Sequence, residues 1–208
     1  MVENLQKRWL QLTANYYTDL SLVDSLWKLI QKKYSSKNRY YHNLIHINSM
    51  LEKAKENIDE IKDYDEVLFA IWFHNIIYKS TSKNNEEKSA DFAKSTLNKI
   101  SNINIDKVCH LIISTKKHQI ILTENDDNAF LLDFDLSILG SDWSTYETYI
   151  RNIRKEYKVY PNFLYNPARK KVLQSFLNRE QLYFTEKYQD LFEEKARVNL
   201  EKEIKILS

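Results

Sequence analysis

The 208-residue chain has one glycine, two prolines and one cysteine. β-rich folds turn through many tight loops that draw on glycine and proline. Gly140, Pro161 and Pro167 are too few to serve them. Walker and dinucleotide-binding loops need several glycines within a few residues, so both are excluded. Cys109 has no partner for an intramolecular disulfide, which suits a reducing compartment. No stretch approaches about 18 uninterrupted apolar residues, and no basic segment leading into an apolar run opens the chain. The expectation is a cytoplasmic protein with no membrane partner. The formal charge is only +2, from 31 basic and 29 acidic residues. That gives too weak a field to mark a nucleic-acid binder, so no nucleic-acid partner is expected.

Helical periodicity is plentiful, and the fold class read from it is all-α. Apolar residues recur every three to four positions over about 3–16, with Leu5, Trp9 and Leu12. They recur again after Ser21, a candidate N-cap, through Leu22, Leu26, Leu29 and Ile30. Further helices are expected over about 44–58 and 65–78, from Glu86 through Ile100, from Asn102 or Asn104 to about 117, from Trp143 through Tyr157, and over about 168–177 and 183–206. The 65–78 segment is apolar on nearly all sides and is expected at the centre of the protein. No repeat or linker divides the chain. One domain over 1–208 is expected, with the C-terminal helices, about 143–208, packing on the core.

All five histidines fall between positions 42 and 118: His42, His46, His74, His110 and His118. Neutral imidazole is the commonest metal ligand and the usual proton carrier near neutral pH. His42 and His46 are four residues apart, so a helix would set them one turn apart on one side. His74-Asn75 lies in the most apolar segment, where an unpaired polar group costs about 1–3 kcal/mol. Asp133 and Asp135 are embedded in the apolar run from Phe130 to Gly140, and buried acids need partners. Asp135 is the second candidate ligand after the histidines, and Asp133 falls on a different face. A hydrogen-bonded core histidine is the ordinary alternative at each of these positions.

Read together, these segments resemble a family. Tyr41-His42-x-x-x-His46, Trp72-Phe73-His74-x-x-x-Tyr78, Asn85-Glu86-Glu87-x-Ser89-Ala90, Thr115-x-x-His118, Asp133-x-Asp135-Leu136-x-Ile138-Leu139-Gly140, Arg154-x-Glu156-Tyr157 and Ala196-Arg197-x-Asn199-Leu200 occur in that order. The set is similar to bacterial predicted metal-dependent phosphohydrolases of the HD superfamily. The His42 and Asp135-Leu136-Ser137 segments also resemble those of cyclic-nucleotide phosphodiesterases.

The resemblance implies an HD-domain-like helical bundle that hydrolyses a small phosphorylated metabolite, with a nucleotide the expected substrate. It implies one or two divalent ions on His46, His74, Asp135 and the residue after His74, with His118 or His110 available to a second ion. His42 would protonate the leaving oxygen, and Glu86 or Glu87 would orient the attacking water. A mixed nitrogen and oxygen ligand set suits Mn, Fe, Co, Ni or Zn. Arg39, Lys79 and Arg154 are candidate phosphate contacts, because guanidinium and ammonium groups suit phosphate. One defining position departs from the pattern: the pair is His74-Asn75, where the family has His-Asp. Asparagine offers a neutral carbonyl oxygen, a poorer ligand for hard cations. The alternative reading is therefore a degenerate HD protein that binds a metal or nucleotide without turnover.

Overall fold

The computed structural model describes every residue except Thr18, Lys99, Ser101 and Ser208. Among the described residues the protein is all-α, with ten α-helices and one 3-10 turn. The N-terminal pair is α1 (Val2–Thr13) and α2 (Leu20–Tyr34). On α1, Leu5, Trp9 and Leu12 are buried at helical spacing. The N-cap of α2 is Asp19, whose carboxylate accepts from the amides of Ser21 and Leu22. Ser21, expected as the cap, lies inside the helix, because the longer-reaching carboxylate satisfies two orphan amides at once.

Three helices frame the site: α3 (Leu44–Glu56), α4 (Tyr64–Phe73) and α7 (Asp127–Leu136). They pack against one another in the centre. The buried part of α4 runs through Val67 and Phe69 to Phe73, as its all-round apolar sequence requires. Trp9 meets it edge-on, with ring centroids 6.2 Å from Phe69, 5.7 Å from Trp72 and 6.1 Å from Phe73. Edge-to-face pairs of this kind add about 0.5–1.5 kcal/mol each beyond area burial. The helix ends earlier than its apolar pattern suggests. His74 is its C-cap, so His74-Asn75 lies on the turn after the helix and not within it.

On the flank, α5 (Asn85–Leu97) and α6 (Ile105–Ser114) pair and cover α4. The C-terminal helices are α8 (Trp143–Glu156), α9 (Asn162–Leu177) and α10 (Glu186–Ile206). The expected start of α9 after Pro167 is corrected: the helix begins six residues earlier and contains that proline. A proline removes the bond to the carbonyl four residues back. Here that residue is Phe163, which is exposed on the first turn, where water can take the freed oxygen. A buried ion pair joins the three helices: Glu203 on α10 accepts from Arg169 Nε on α9 at 2.7 Å and from Tyr146 on α8 at 2.5 Å. One contiguous apolar core runs from Leu5 to Leu200. No helix among the described residues is long and apolar enough to cross a membrane.

The 3-10 turn Ser137–Gly140 continues α7 and packs on α10. Here the sole glycine has a steric reason. A Cβ on Gly140 would lie 2.5 Å from the Cβ of Phe192 and 2.9 Å from its carbonyl oxygen.

Candidate metal centre

Each central helix delivers one ligand atom. Asn43 caps α3 through its side chain, which accepts from the amide of Ile45, and the first turn then carries His46 inward, where it is buried. The C-terminus of α4 supplies His74, and the last turn of α7 supplies Asp135. His46 Nε2 is 3.1 Å from His74 Nε2 and 3.2 Å from Asp135 Oδ1, and His74 Nε2 is 4.0 Å from the same oxygen. All three atoms lie within 4.8 Å of one another.

These separations fit a divalent ion. A point equidistant from three atoms so spaced lies about 2.0 Å from each, which is the usual metal–nitrogen and metal–oxygen bond length. The donor chemistry agrees. His74 Nδ1 lies 2.9 Å from the carbonyl of Ile71, so the Nδ1–H donates there and Nε2 keeps its lone pair for the cluster. Burial pushes the His74 imidazolium down to about 4, so the ring is neutral at physiological pH. Burial also pushes Asp135 up, but hydrogen bonds from His118 and His46 outweigh it and hold the carboxyl well below the ordinary range. A neutral His74 imidazole and an ionised Asp135 carboxylate are therefore in place beside the His46 ring nitrogen.

His118 reaches the other oxygen of Asp135, with Nε2 to Oδ2 at 3.0 Å. It is beside the three-atom cluster and outside it. Its backbone has φ of +47°, a strained region for a non-glycine residue. Arg179 holds it there by donating to the carbonyls of His118 and Lys117 at 3.0 and 2.8 Å. His110 is exposed on α6 and takes no part. Asp133 is fully buried and turned away: it accepts from the amides of Phe184 and Thr185 and from the Thr185 hydroxyl. It therefore secures the entry to α10 and is not a ligand.

A cavity of about 560 Å³ reaches the cluster at Asp135. His42, Asn75, Glu86, His118 and Asp135 all line it, with an aromatic wall that includes Tyr41, Tyr149 and Tyr157. His42 precedes the N-cap of α3, so the helical spacing to His46 does not apply, yet the two ring centroids are 6.0 Å apart. Its Nδ1 lies 2.6 Å from Oε2 of Glu156. Glu156 also accepts from the amides of Tyr41 and His42 and from the Tyr78 hydroxyl. Burial pushes this carboxyl up, but His42 and the other donors outweigh it and hold it at about 2. Glu87 is turned aside and paired with Lys116.

The candidate phosphate contacts do not line the cavity. Arg39 donates to the carbonyls of His42, Asn75 and Ile76, with its guanidinium carbon 4.9 Å from the Tyr34 ring centroid. It thus staples the His42 loop to the His74-Asn75 turn. Arg154 caps the end of α8 through the carbonyls of Tyr157 and Tyr160 and stacks on Tyr165. Lys79 borders a separate cleft with Arg39 and Tyr78. The cations that do line the cavity are Lys116, Lys117, Arg169 and Arg179. Sequence reasoning missed these, and it missed Glu156 as the partner of His42. Glu156 sat within a quoted motif, but nothing local showed which way it faced.

No protein-family model, curated protein or solved structure matches the chain.

Proposed function

We propose that this protein is a metal-dependent phosphohydrolase of the HD type, acting on a small phosphorylated metabolite of nucleotide size in the cytoplasm. One observation carries the reading: His46, His74 and Asp135 converge at metal-ligand spacing, and Asp135 lines a cavity whose wall also carries His42. The residues suit one of Mn, Fe, Co, Ni or Zn. Such an ion supplies a lowered pKa for water and positive charge against phosphoryl oxygens.

The protein's own groups perform the rest. Glu156 accepts the Nδ1–H of His42 and would favour the doubly protonated ring, whose Nε2–H would pass its proton to the departing oxygen and leave the neutral imidazole. Arg39 sets the distance between the His42 loop and the His74-Asn75 turn through its three carbonyl contacts. Lys117 and Arg179 offer positive charge at the cavity rim to the substrate's phosphate. Glu86 is the lining carboxylate able to orient water. Tyr41, Tyr149 and Tyr157 form a wall that excludes bulk water and stacks on a planar group.

A second reading is favoured by Asn75, which lines the cavity where the resembled family has a carboxylate. In that reading the protein binds an ion or nucleotide without turnover. The deciding experiment is metal content of purified, untagged protein by inductively coupled plasma mass spectrometry, with His46→Ala and Asp135→Ala alongside. Near-stoichiometric metal lost in both variants supports the site and leads to a nucleotide hydrolysis screen, where turnover selects the first reading and binding alone the second. No metal after incubation with Mn, Co, Ni and Zn overturns both metal readings.

A further inference from the structure

A second cavity, of about 340 Å³, lies on the other side of His46. Its walls come from α3, the 3-10 turn and α8, and they include Ser49, Lys53, Ser141, Thr145 and Asn152. His46, Ser49 and Lys53 are spaced i, i+3 and i+7, so they share one face of α3. The Cα of Lys53 lies about 10 Å along the helix axis from that of His46, and its ammonium reaches back to Ser49.

The charge balance of this cavity is one-sided. No aspartate or glutamate is among its lining residues. Among the described residues, Lys53 Nζ makes no ion pair, and its hydrogen bond goes to Ser49 Oγ at 3.2 Å. The ammonium is half-buried, and burial pulls its pKa below the ordinary value. Glu56 acts on the ammonium only at longer range, and a desolvated cation without a close counter-ion is costly. The same cavity is lined by the hydroxyls of Ser49 and Thr145 and the amide of Asn152. A cation that shares a cavity with hydroxyl and amide groups, and with no carboxylate in the lining, suits an oxyanion.

We infer that this second cavity is a binding site for a small phosphate-type anion, held by Lys53 with Ser49, Thr145 and Asn152, and separate from the metal centre. The ligand is either inorganic phosphate or the phosphate group of a small ester. The inference rests on this cavity alone and does not depend on catalysis at His42.

The test is a titration of the isotope-labelled full-length protein, with EDTA present, followed by amide chemical shifts. Inorganic phosphate is the first probe and glycerol phosphate the second. Saturable shifts at the amides of Ser49, Ser141, Thr145 and Asn152 support the site. Lys53→Met should weaken that binding about tenfold or more, as loss of a charge-assisted contact does, while Lys53→Arg retains it. Asn152→Ala should weaken it less and serves if Lys53→Met fails to fold. Tighter binding of the ester identifies a phosphorylated metabolite as the ligand, and equal binding identifies free phosphate. The proposal is overturned by shifts confined to Lys116, His118 and Arg179 around the larger cavity. It is equally overturned by no saturation at millimolar phosphate, or by unchanged affinity in Lys53→Met and Asn152→Ala.

Discussion

Nδ1 of His42 and Oε2 of Glu156 lie 2.6 Å apart across 114 positions of sequence. Glu156 closes α8, while His42 sits in the loop before α3, so this contact joins the C-terminal helices to the candidate site. Its electrostatics carry a sign that can be measured. The Glu156 carboxyl is held at about 2 in the folded protein against an ordinary value of 4.5. A depressed acid stabilises the fold above its unfolded value, and that contribution is lost as pH falls from about 4.5 toward 2. The stake is on the order of 3 kcal/mol. Urea unfolding of wild type should therefore lose stability steeply across that window. Glu156→Gln should be less stable than wild type at pH 7 and lose less stability across the same interval, where Asp135 still titrates. Parallel curves for the two proteins would remove the charge from the argument.

The two aspartates of α7 should separate cleanly. Asp133→Ala leaves two buried amides and a hydroxyl without their acceptor, at a cost of about 3 kcal/mol or more. For a chain of this size that is a Tm loss of about 6–12 °C, and the folded fraction should keep its metal. Asp135→Ala should lose the metal and change the metal-free Tm far less, because its oxygens serve two histidines at a cavity wall and no buried backbone. Calorimetry of both variants with and without EDTA reads the difference.

These two residues also show what sequence can reveal and where it stops. The scarcity of glycine and proline and the spacing of Leu5, Trp9 and Leu12 reflect local backbone and burial rules, so the all-α class was legible. The clustering of His46, His74 and Asp135 was legible as candidates for one site. The division of labour between Asp133 and Asp135 was not, because the donors to Asp133 are amides some 50 positions away. Arg39 illustrates the same limit. A guanidinium suits phosphate and backbone carbonyls equally, and only the fold shows that the carbonyls of His42, Asn75 and Ile76 claim it. Helix ends also escaped. The apolar pattern of α4 continues through Ile76 and Ile77 although the helix stops at Phe73, because the turn beyond is itself buried.

Gly140→Ala tests how the far end of α7 is held. The added Cβ meets Phe192 Cβ at 2.5 Å and its carbonyl oxygen at 2.9 Å. The clash is with backbone and a Cβ, so no rotamer change relieves it, and α10 must shift. Overpacking of this kind costs about 1–3 kcal/mol, a Tm loss of about 2–12 °C. Asp135 lies five residues upstream, so a shifted 3-10 turn should also weaken metal binding, measured by Mn titration. A Tm equal to wild type would show that the two elements are not in contact this close.

Asn75→Asp is the substitution on which the functional readings divide. Asn75 is buried next to His74, and Arg39 fixes its backbone carbonyl at 2.5 Å, so the turn that carries it is held in place. An aspartate there adds a carboxylate to that of Asp135 in a cavity that Glu86 also lines. Without a cation, the two negative charges repel and the added one is desolvated, so the metal-free Tm should fall. With Mn or Zn the charge becomes a ligand, affinity should rise about tenfold or more, and the Tm should recover with ligand concentration as binding linkage requires. A gain of phosphatase activity alongside would mean that the wild-type asparagine had traded turnover for binding. Destabilisation of equal size with and without metal would mean that the histidines are core residues and that the cluster holds no ion.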